Sequence, residues 1–160
     1  MKRIKLVAKG KEAFALVDDE DFDFLSRYKW YLNRFSNCVT RNRNKSDGVG
    51  SKTIYLHRVI MPTGEQIDHI NRNRLDNRKE NLRPCTRSQN CMNRIRKLKF
   101  KTSKFHGVFW NKGNKKWRVR IKRKGIEKHV GYFLSEIEAA KQYDVVAKKF
   151  FKEFAFINFP

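Results

Sequence analysis

The sequence predicts an α+β protein, and two patterns support this prediction. Segments that alternate apolar and polar side chains recur at strand length, and turn-forming Gly, Asn and Asp separate them. Further along the chain, Ser135-Glu136-Ile137-Glu138 has the sequence of a helical capping box and opens a long amphipathic segment. Antiparallel strands with few, separate helices are typical of the α+β class.

The first 50 residues are predicted to begin with a strand, a short helix and a second strand. Residues 13–17 and 29–32 are apolar segments of strand length, and the acidic run 18–21 precedes apolar residues at 22–25. Carboxylates in a first helical turn offset the helix macrodipole. The acidic run therefore indicates a helix start rather than a metal site.

Two more strand-like segments follow, at 38–43 and 53–60, with a turn predicted at 46–51. They extend the N-terminal region into a small sheet. This sheet leads into the polar segment 68–90.

The last third of the chain is predicted to form a three-stranded antiparallel sheet covered by one helix. Strand patterns at 106–110, 116–122 and 128–133 are separated by turns at 111–114 and 124–125. Alternation places Trp117, Val119 and Ile121 on one face and Arg118, Arg120 and Lys122 on the other. The helix has apolar residues at helical spacing, predicted to be core: Ile137, Ala140, Tyr143, Ala147, Phe150, Phe151 and Phe154.

Charge indicates the class of partner. Lys and Arg number 38 against 16 acidic residues, a net charge of +22 at pH 7, and such an excess is typical of proteins that bind nucleic acid. Residues 1–24 carry five basic and six acidic side chains, whereas residues 83–104 carry eight basic and none acidic. We expect the second segment to include a linker along DNA phosphates, with Arg94, Arg96 and Lys97 among its contacts.

Cysteine usage and hydropathy argue against several classes of protein. Cys38, Cys85 and Cys91 form no Cys-x-x-Cys pair, so the sequence predicts neither disulfides nor a structural zinc site. No apolar run reaches the length of a membrane span, and the first residues lack a signal-peptide hydrophobic region. We therefore expect a cytoplasmic protein without a membrane partner.

Residues 68–90 combine a base with metal-ligand candidates in one basic segment. The carboxylate of Asp68 and the amide oxygen of Asn90 are hard ligands suited to Mg²⁺, and the imidazole of His69 can accept a proton near neutral pH. The segment runs Asp68-His69-Ile70-Asn71, then Leu75-Asp76-Asn77-Arg78, then Glu80-Asn81-Leu82-Arg83, and closes with Asn90.

This pattern, with Tyr55-Leu56-His57-Arg58 upstream, resembles the HNH endonucleases of the phage and intron homing type. The resemblance implies a ββα-metal module in which two strands carry Asp68 and His69 and a helix returns Asn90. It makes His69 the general base and Asn81 the residue that holds the loop between strand and helix. It makes Asp68 and Asn90 the ligands of Mg²⁺, for which Mn²⁺ can substitute. Arg72 stands where the family usually has Gly, so a side chain has to occupy that turn.

Other residues of the motif have structural interpretations. Asp76 and Asn77 are predicted to begin a helix, with Glu80 completing an Asn-x-x-Glu capping arrangement. In the family, the strand that carries His57 supports the catalytic centre. The alternative is that His57 is itself a third metal ligand. We interpret Asp76, Asn77 and His57 as structural.

The C-terminal third resembles the DNA-binding domain of plant ethylene-response factors, the Apetala type, through Lys116-Trp117-Arg118-Val119-Arg120-Ile121, Val130-Gly131-Tyr132-Phe133 and Asn158-Phe159-Pro160, among other segments. That resemblance implies a sheet in the major groove. Phe109, Arg120 and His129 differ from the residues usual in that family, so its target sequence does not transfer. The expected DNA contacts are Trp110, Lys112, Lys116, Arg118, Arg120, Lys122, Arg123 and His129.

Four regions are predicted: a strand/helix/strand region (1–50), the ββα nuclease module (51–93), a basic linker (94–104) and the DNA-binding domain (105–160). The expected activity is Mg²⁺-dependent nicking or double-strand cleavage of one extended DNA site, by a monomer without an obligate protein partner. If the protein is phage-encoded, it acts in the cytoplasm of a bacterial host. Two alternatives remain: a non-catalytic DNA-binding regulator on a degenerate HNH scaffold, and a basic protein that associates with RNA or the ribosome.

Overall fold

The computed structural model describes residues 1–10, 12–44, 47–48, 52–93, 102–123 and 125–159. The chain forms two compact units, Met1–Asn90 and Cys91–Pro160. Sheets with few helices occur in both, which confirms the predicted α+β class. None of the helices in the described ranges is long and apolar enough to cross a membrane.

The first unit is built on a five-stranded sheet with the order β2-β1-β3-β4-β5. Strands β1 and β3 are parallel, and the other neighbours are antiparallel. The elements are β1 (Lys2–Val7), β2 (Ala13–Val17), α1 (Asp19–Leu25), β3 (Trp30–Leu32), β4 (Val39–Asn42) and β5 (Thr53–Tyr55).

The predicted strand, helix and strand of this region are confirmed as β2, α1 and β3. Strand β1 was not predicted, although its alternation of buried Ile4 and Leu6 with exposed basic residues has period two. The core surrounds Trp30, which is 1% exposed and donates from Nε1 to the carbonyl oxygen of Leu25 at 2.9 Å. Most of the turn predicted at 46–51 lies outside the described residues.

The ββα module follows directly. It consists of β6 (Gln66–His69), a 3₁₀ turn at Lys79–Asn81, β7 (Leu82–Cys85) and α3 (Arg87–Met92). Strands β6 and β7 are antiparallel and pair Asp68 with Arg83. The strand-strand-helix order implied by the first resemblance is therefore present.

Two predictions for this module are wrong. The strand expected to carry His57 ends at Tyr55, and α2 (Leu56–Ile60) follows it. Leu56 is fully buried in the first unit's core and Val59 and Ile60 pack against the same core, a spacing of three and four residues that only a helix satisfies. The helix expected to begin at Asp76 or Asn77 is only the three-residue 3₁₀ turn, because the side chains of both residues are held by other partners.

The second unit confirms the predicted sheet and helix. Strands β8 (Val108–Asn111), β9 (Lys116–Arg123) and β10 (Ile126–Phe133) form an antiparallel sheet with β9 in the centre, and α4 (Glu136–Phe151) packs on it. Val119 and Ile121 are buried, as alternation predicts. Ile137 was assigned to the core but is 54% exposed, because it lies in the first turn of α4, beyond the sheet side chains that bury Ala140 and Tyr143.

Polar and steric contacts join α4 to the C-terminal residues and to the segment before β8. Asp144 on α4 accepts hydrogen bonds from the backbone N–H groups of Asn158 (2.8 Å) and Phe159 (2.9 Å), and Asn158 in turn bonds the backbone of His106. Gly107 has φ +75°, and a Cβ atom there would lie 2.1 Å from the Tyr143 ring. The segment before β8 is thereby held against α4. Thr102 and Ser103, expected in the linker, contact this unit through Trp110 and Glu136.

Candidate functional site

One face of the β6–β7 ribbon carries Asp68. Gln66 lies two residues earlier on β6, and Arg83 and Cys85 are their partners on β7, so these four side chains share the face. Arg83 donates from Nε (3.0 Å) and from one terminal guanidinium nitrogen (2.7 Å) to Oδ2 of Asp68. Asp68 is buried. Its carboxylate therefore already accommodates a positive charge in a largely water-free position.

Helix α3 brings Asn90 to the same face. Thr86 and Gln89 cap the helix reciprocally, because the Thr86 N–H donates to Gln89 Oε1 and the Gln89 N–H donates to Thr86 Oγ1. Asn90 then donates from Nδ2 to Oε1 of Gln66 at 3.1 Å. Its amide oxygen is the end suited to a cation, and a carboxylate oxygen and an amide oxygen are donor types that a hard divalent ion prefers.

His69 is the next residue on β6 and is held by Asn77. Its Nε2 lies 3.3 Å from Oδ1 of Asn77, and Nδ2 of Asn77 donates to the carbonyl oxygen of Arg74 at 3.3 Å. That second bond identifies Oδ1 as the atom facing the imidazole. An amide oxygen only accepts, so His69 carries its proton on Nε2 and its lone pair on Nδ1. Burial lowers the pKa of His69, which favours this neutral form.

The N-terminal sheet holds the loop that carries Asn77. The backbone N–H of Asn77 donates to the carbonyl oxygen of Leu16 at 2.9 Å, and the Leu16 N–H donates to the carbonyl oxygen of Leu75 at 2.7 Å. Asp18 accepts a hydrogen bond from the backbone N–H of Lys79 at 2.8 Å. The edge of β2 thus fixes the backbone on both sides of the residue that orients His69.

Asn81 and Asp76 bond the rest of this loop internally. Oδ1 of Asn81 accepts from the Asn71 N–H at 2.9 Å, and its Nδ2 donates to the Asp76 carbonyl oxygen at 2.7 Å. Asp76 is 2% exposed, and its carboxylate accepts from Arg78 and from Asn71. Arg72, at the position where the first family usually has Gly, adopts φ +65°.

His57 contacts the imidazole of His69 from α2. The two rings are 5.4 Å apart in an edge-to-face arrangement, and Tyr55 lies 5.5 Å from His57 on the other side. Burial, followed by the neighbouring His69, lowers the pKa of His57 to about 4. His57 is therefore neutral near pH 7, and its observed contact is with the candidate base.

Other metal-binding arrangements are scarce. Within the described ranges, no three His, Cys, Asp or Glu side chains form a group that could hold an ion. The three cysteines are free thiols, and burial raises the pKa of Cys85. Asp68 and Asn90 are not such a group, because they are two residues and one of them is an amide.

The predicted DNA contacts of the second unit lie on or beside its sheet. Arg118, Arg120 and Lys122 lie on the outer face of β9, and His129 is paired with Arg120. Trp110 is 37% exposed and contacts Trp117 edge to face. Lys112, Lys116, Arg123 and His129 are exposed. Arg94, Arg96 and Lys97 lie outside the described residues.

Sequence reasoning missed several positioning residues. The Thr-x-x-Gln capping pattern at Thr86 and Gln89 was a usable signal before a short helix. Gln66, two residues before Asp68, was recoverable from strand alternation once β6 was assigned. The contacts of Leu16 and Asp18 with the loop that carries Asn77 had no local signal, since each joins residues about 60 positions apart.

Two comparisons with known proteins agree with this geometry. The HNH endonuclease family matches residues 55–92. The chain is also similar to an uncharacterized HNH endonuclease of Acanthamoeba polyphaga mimivirus, with 30% identity over 161 residues that cover 96% of this chain and 79% of that relative. No solved structure gives a significant match.

Proposed function

The chain belongs to the HNH endonuclease family, and from that premise we propose that it is a site-specific DNA endonuclease of the homing type, with Mg²⁺ as its cofactor. The observation that carries the proposal is the fixed imidazole of His69, whose lone pair lies on Nδ1, next in sequence to the carboxylate of Asp68. A base and a hard-ligand carboxylate on one short strand suit phosphodiester hydrolysis.

In the proposed reaction, Nδ1 of His69 takes a proton from a water molecule, and the oxygen of that water attacks the scissile phosphorus. The bond from phosphorus to the 3′ oxygen breaks. The released 3′ oxygen takes up a proton from solvent and becomes a 3′ hydroxyl on one fragment, and the other fragment carries a 5′ phosphate. The hydrogen bond to Asn77 holds the ring during this transfer and stabilises the imidazolium that forms.

Asp68 and Asn90 would hold the ion. Bound there, Mg²⁺ would stabilise the charge that develops on the phosphate and on the leaving oxygen. Arg83 lies beside Asp68, so its guanidinium would contact a non-bridging oxygen of the same phosphate. The present pairing of Arg83 with Asp68 keeps both groups in position and keeps the buried carboxylate compensated.

The second unit is proposed to supply DNA recognition. Its cationic outer sheet face supports this role, and a sheet of this width fits the major groove. Arg94, Arg96 and Lys97 are proposed to contact phosphates, which would add affinity without sequence preference.

Conversion of supercoiled plasmid to nicked or linear DNA tests the nuclease proposal. The full chain should cut with Mg²⁺ and not with EDTA. Asp68→Ala should abolish cutting while DNA affinity stays nearly unchanged, and His69→Ala should slow it by roughly 10²- to 10⁴-fold. Asp23→Ala is the matched control, since Asp23 is an exposed acid on α1.

Wild-type cutting rates in Asp68→Ala or His69→Ala would contradict these assignments. A chain that binds duplex DNA tightly but never cuts it would instead identify the protein as the non-catalytic regulator. The pairing of Arg83 with Asp68 makes this comparison necessary, because an arginine can also occupy the position of an ion that no longer binds.

A further inference from the structure

The outer face of the second unit's sheet contains one acid among its basic side chains. Arg118, Arg120 and Lys122 of β9 lie on this face, and β10 places Glu127 opposite Lys122. Oε2 and Oε1 of Glu127 lie 3.1 Å and 3.3 Å from one terminal guanidinium nitrogen of Arg120, and Oε1 lies 3.5 Å from Arg118. A carboxylate here weakens attraction to phosphate, so its presence on a DNA-binding face needs another explanation.

Stability does not supply that explanation. Glu127 and Arg120 each have side chains that are 39% exposed, and solvent-exposed ion pairs contribute little to folding. Glu127 also lies on the strand surface away from α4, so it covers no part of the apolar core.

Arg120 is held in a defined orientation instead. Its guanidinium carbon lies 4.1 Å from the centroid of the Phe109 ring, which is a stacking contact. Glu127 contacts one terminal nitrogen of the guanidinium, so the edge formed by Nε and the other terminal nitrogen is not held by Glu127. An arginine fixed from two sides in this way suits a bidentate contact to a base edge, whereas a phosphate contact needs no such orientation.

We propose that Glu127 is a specificity-determining positioning residue, which orients Arg120 to bind the major-groove edge of a guanine. This inference rests on the proposed DNA recognition by the second unit. It predicts effects of opposite sign when the carboxylate is removed: DNA of any sequence is bound more tightly, and the preferred sequence is discriminated less well.

Selection from random-sequence duplexes, with the full chain in EDTA to prevent cutting, tests this inference. The wild-type chain should enrich a motif that contains guanine. Glu127→Gln should lose preference at one guanine by at least about fivefold, the lower range of a bidentate base contact. Its affinity for poly(dA-dT), which contains no guanine edge, should rise by up to about fivefold, the effect of one unit charge about 4 Å from a phosphate in water.

Two further variants make the test specific. Glu138→Gln changes the net charge equally, but from α4 on the other side of the sheet, and should leave the motif intact. Arg120→Lys keeps the charge and loses the planar fork, so it should lose preference at the same guanine without the gain in general affinity.

An unchanged motif in Glu127→Gln, or loss at a different base pair from Arg120→Lys, would overturn the inference and leave the proposed function intact. A wild-type chain that enriches no motif would overturn sequence recognition by the second unit and this inference with it. Cleavage of plasmid with Mg²⁺ is measured separately, so nuclease activity is judged on its own result.

Discussion

At the residue scale, the candidate base depends on an asparagine whose role the sequence could not specify. Asn77 was interpreted as structural, at a helix start, and Asn residues are common in such turns. The structure places it 1% exposed between His69 and the edge of β2. Its side-chain partner is eight residues away and its backbone partner is Leu16, so no local pattern could identify either contact.

Replacing Asn77 by Ala should slow plasmid cutting by roughly 10- to 100-fold, the usual cost of losing a residue that orients a catalytic or ligating side chain. Without the acceptor, His69 is no longer restricted to the tautomer with its proton on Nε2. Nitrogen-15 NMR of the four histidines checks the cause directly, since the two tautomers have different shifts.

Asn42→Ala is the control for this variant, because Asn42 is an exposed asparagine on β4 of the same unit. Asn77→Gln should not restore the rate, since its longer side chain does not fit the buried position. A slow Asn77→Ala variant whose His69 keeps the Nε2–H tautomer would show that Asn77 acts only through stability.

Asp76 should make the first unit sensitive to acid. The pKa of the Asp76 carboxyl lies below its usual value, and the largest cause of this shift is its hydrogen bonding with Arg78. A depressed folded-state pKa gives stability that is fully present above the unfolded pKa of about 4 and is lost as pH falls through the folded value. The free energy of unfolding should therefore decrease as the pH falls from about 5 through the folded pKa, and should stay nearly constant above about pH 5.

Urea unfolding followed by Trp30 fluorescence, in a chain with Trp110 and Trp117 replaced by Phe, measures this decrease in the first unit. Asp76→Asn should be less stable than the wild type near neutral pH, and its stability should fall less on acidification. Equal pH dependence in the two chains would assign the acid sensitivity to other carboxylates.

At the scale of elements, the periodic segments were predictable and the irregular ones were not. The sheet and helix of the second unit follow from alternation in residues 116–122 and from the Ser135 capping box, whose hydroxyl accepts from the Glu138 N–H. Helix α2 was predicted as a strand because its five residues are too short to display a helical period. Burial of Leu56 against strands far along the chain decided its conformation, and sequence alone does not show that packing.

Gly107 should be required for the second unit to fold stably. Its φ of +75° disfavours any side chain, and an added methyl group would overlap the Tyr143 ring. Gly107→Ala should lower the free energy of unfolding by about 2 to 4 kcal/mol, from backbone strain and overpacking together. The near-ultraviolet circular dichroism signal of Trp110 and Trp117 should disappear at a lower urea concentration than in the wild type.

Gly113→Ala is the matched control. Gly113 lies in the turn between β8 and β9 without a positive φ, and an added Cβ would lie 3.5 Å from the Asn111 side chain, an ordinary contact. Its stability should stay close to that of the wild type. Equal stability of the two alanine variants would mean that Tyr143 moves aside and that the close approach is not a constraint.

At the scale of the whole molecule, DNA cutting and DNA recognition are proposed for different units of the chain. The net charge of +22 predicted a polyanion partner, and the family implies DNA. The candidate catalytic residues Asp68, His69 and Asn90 all belong to the first unit, in which the N-terminal sheet and the ββα module form one body. The N-terminal region was predicted separately because nothing local indicates that β2 bonds to residues 75–77.

The second unit should therefore fold and bind DNA without the first. Its core is internal, and Asp144 and Asn158 close it through contacts within residues 102–159. A fragment spanning Cys91–Pro160 should give a cooperative unfolding transition and should protect duplex DNA without cutting it, with or without Mg²⁺. Disruption of that transition by Asp144→Ala would verify that the fragment has the native fold, because the backbone N–H groups of Asn158 and Phe159 would lose their acceptor.

The footprint of this fragment, compared with the cleavage map of the full chain on one DNA, tests how the tasks are divided. If the second unit recognises the site and the first unit cuts, the fragment should protect base pairs displaced to one side of the cut. Replacing Arg120 and Lys122 by Ala in the full chain should then make cutting less selective, by about 1 to 3 kcal/mol for each lost base contact, without abolishing it. A footprint unrelated to the cut, or unchanged selectivity in the double variant, would show that the first unit finds its target through its own DNA contacts.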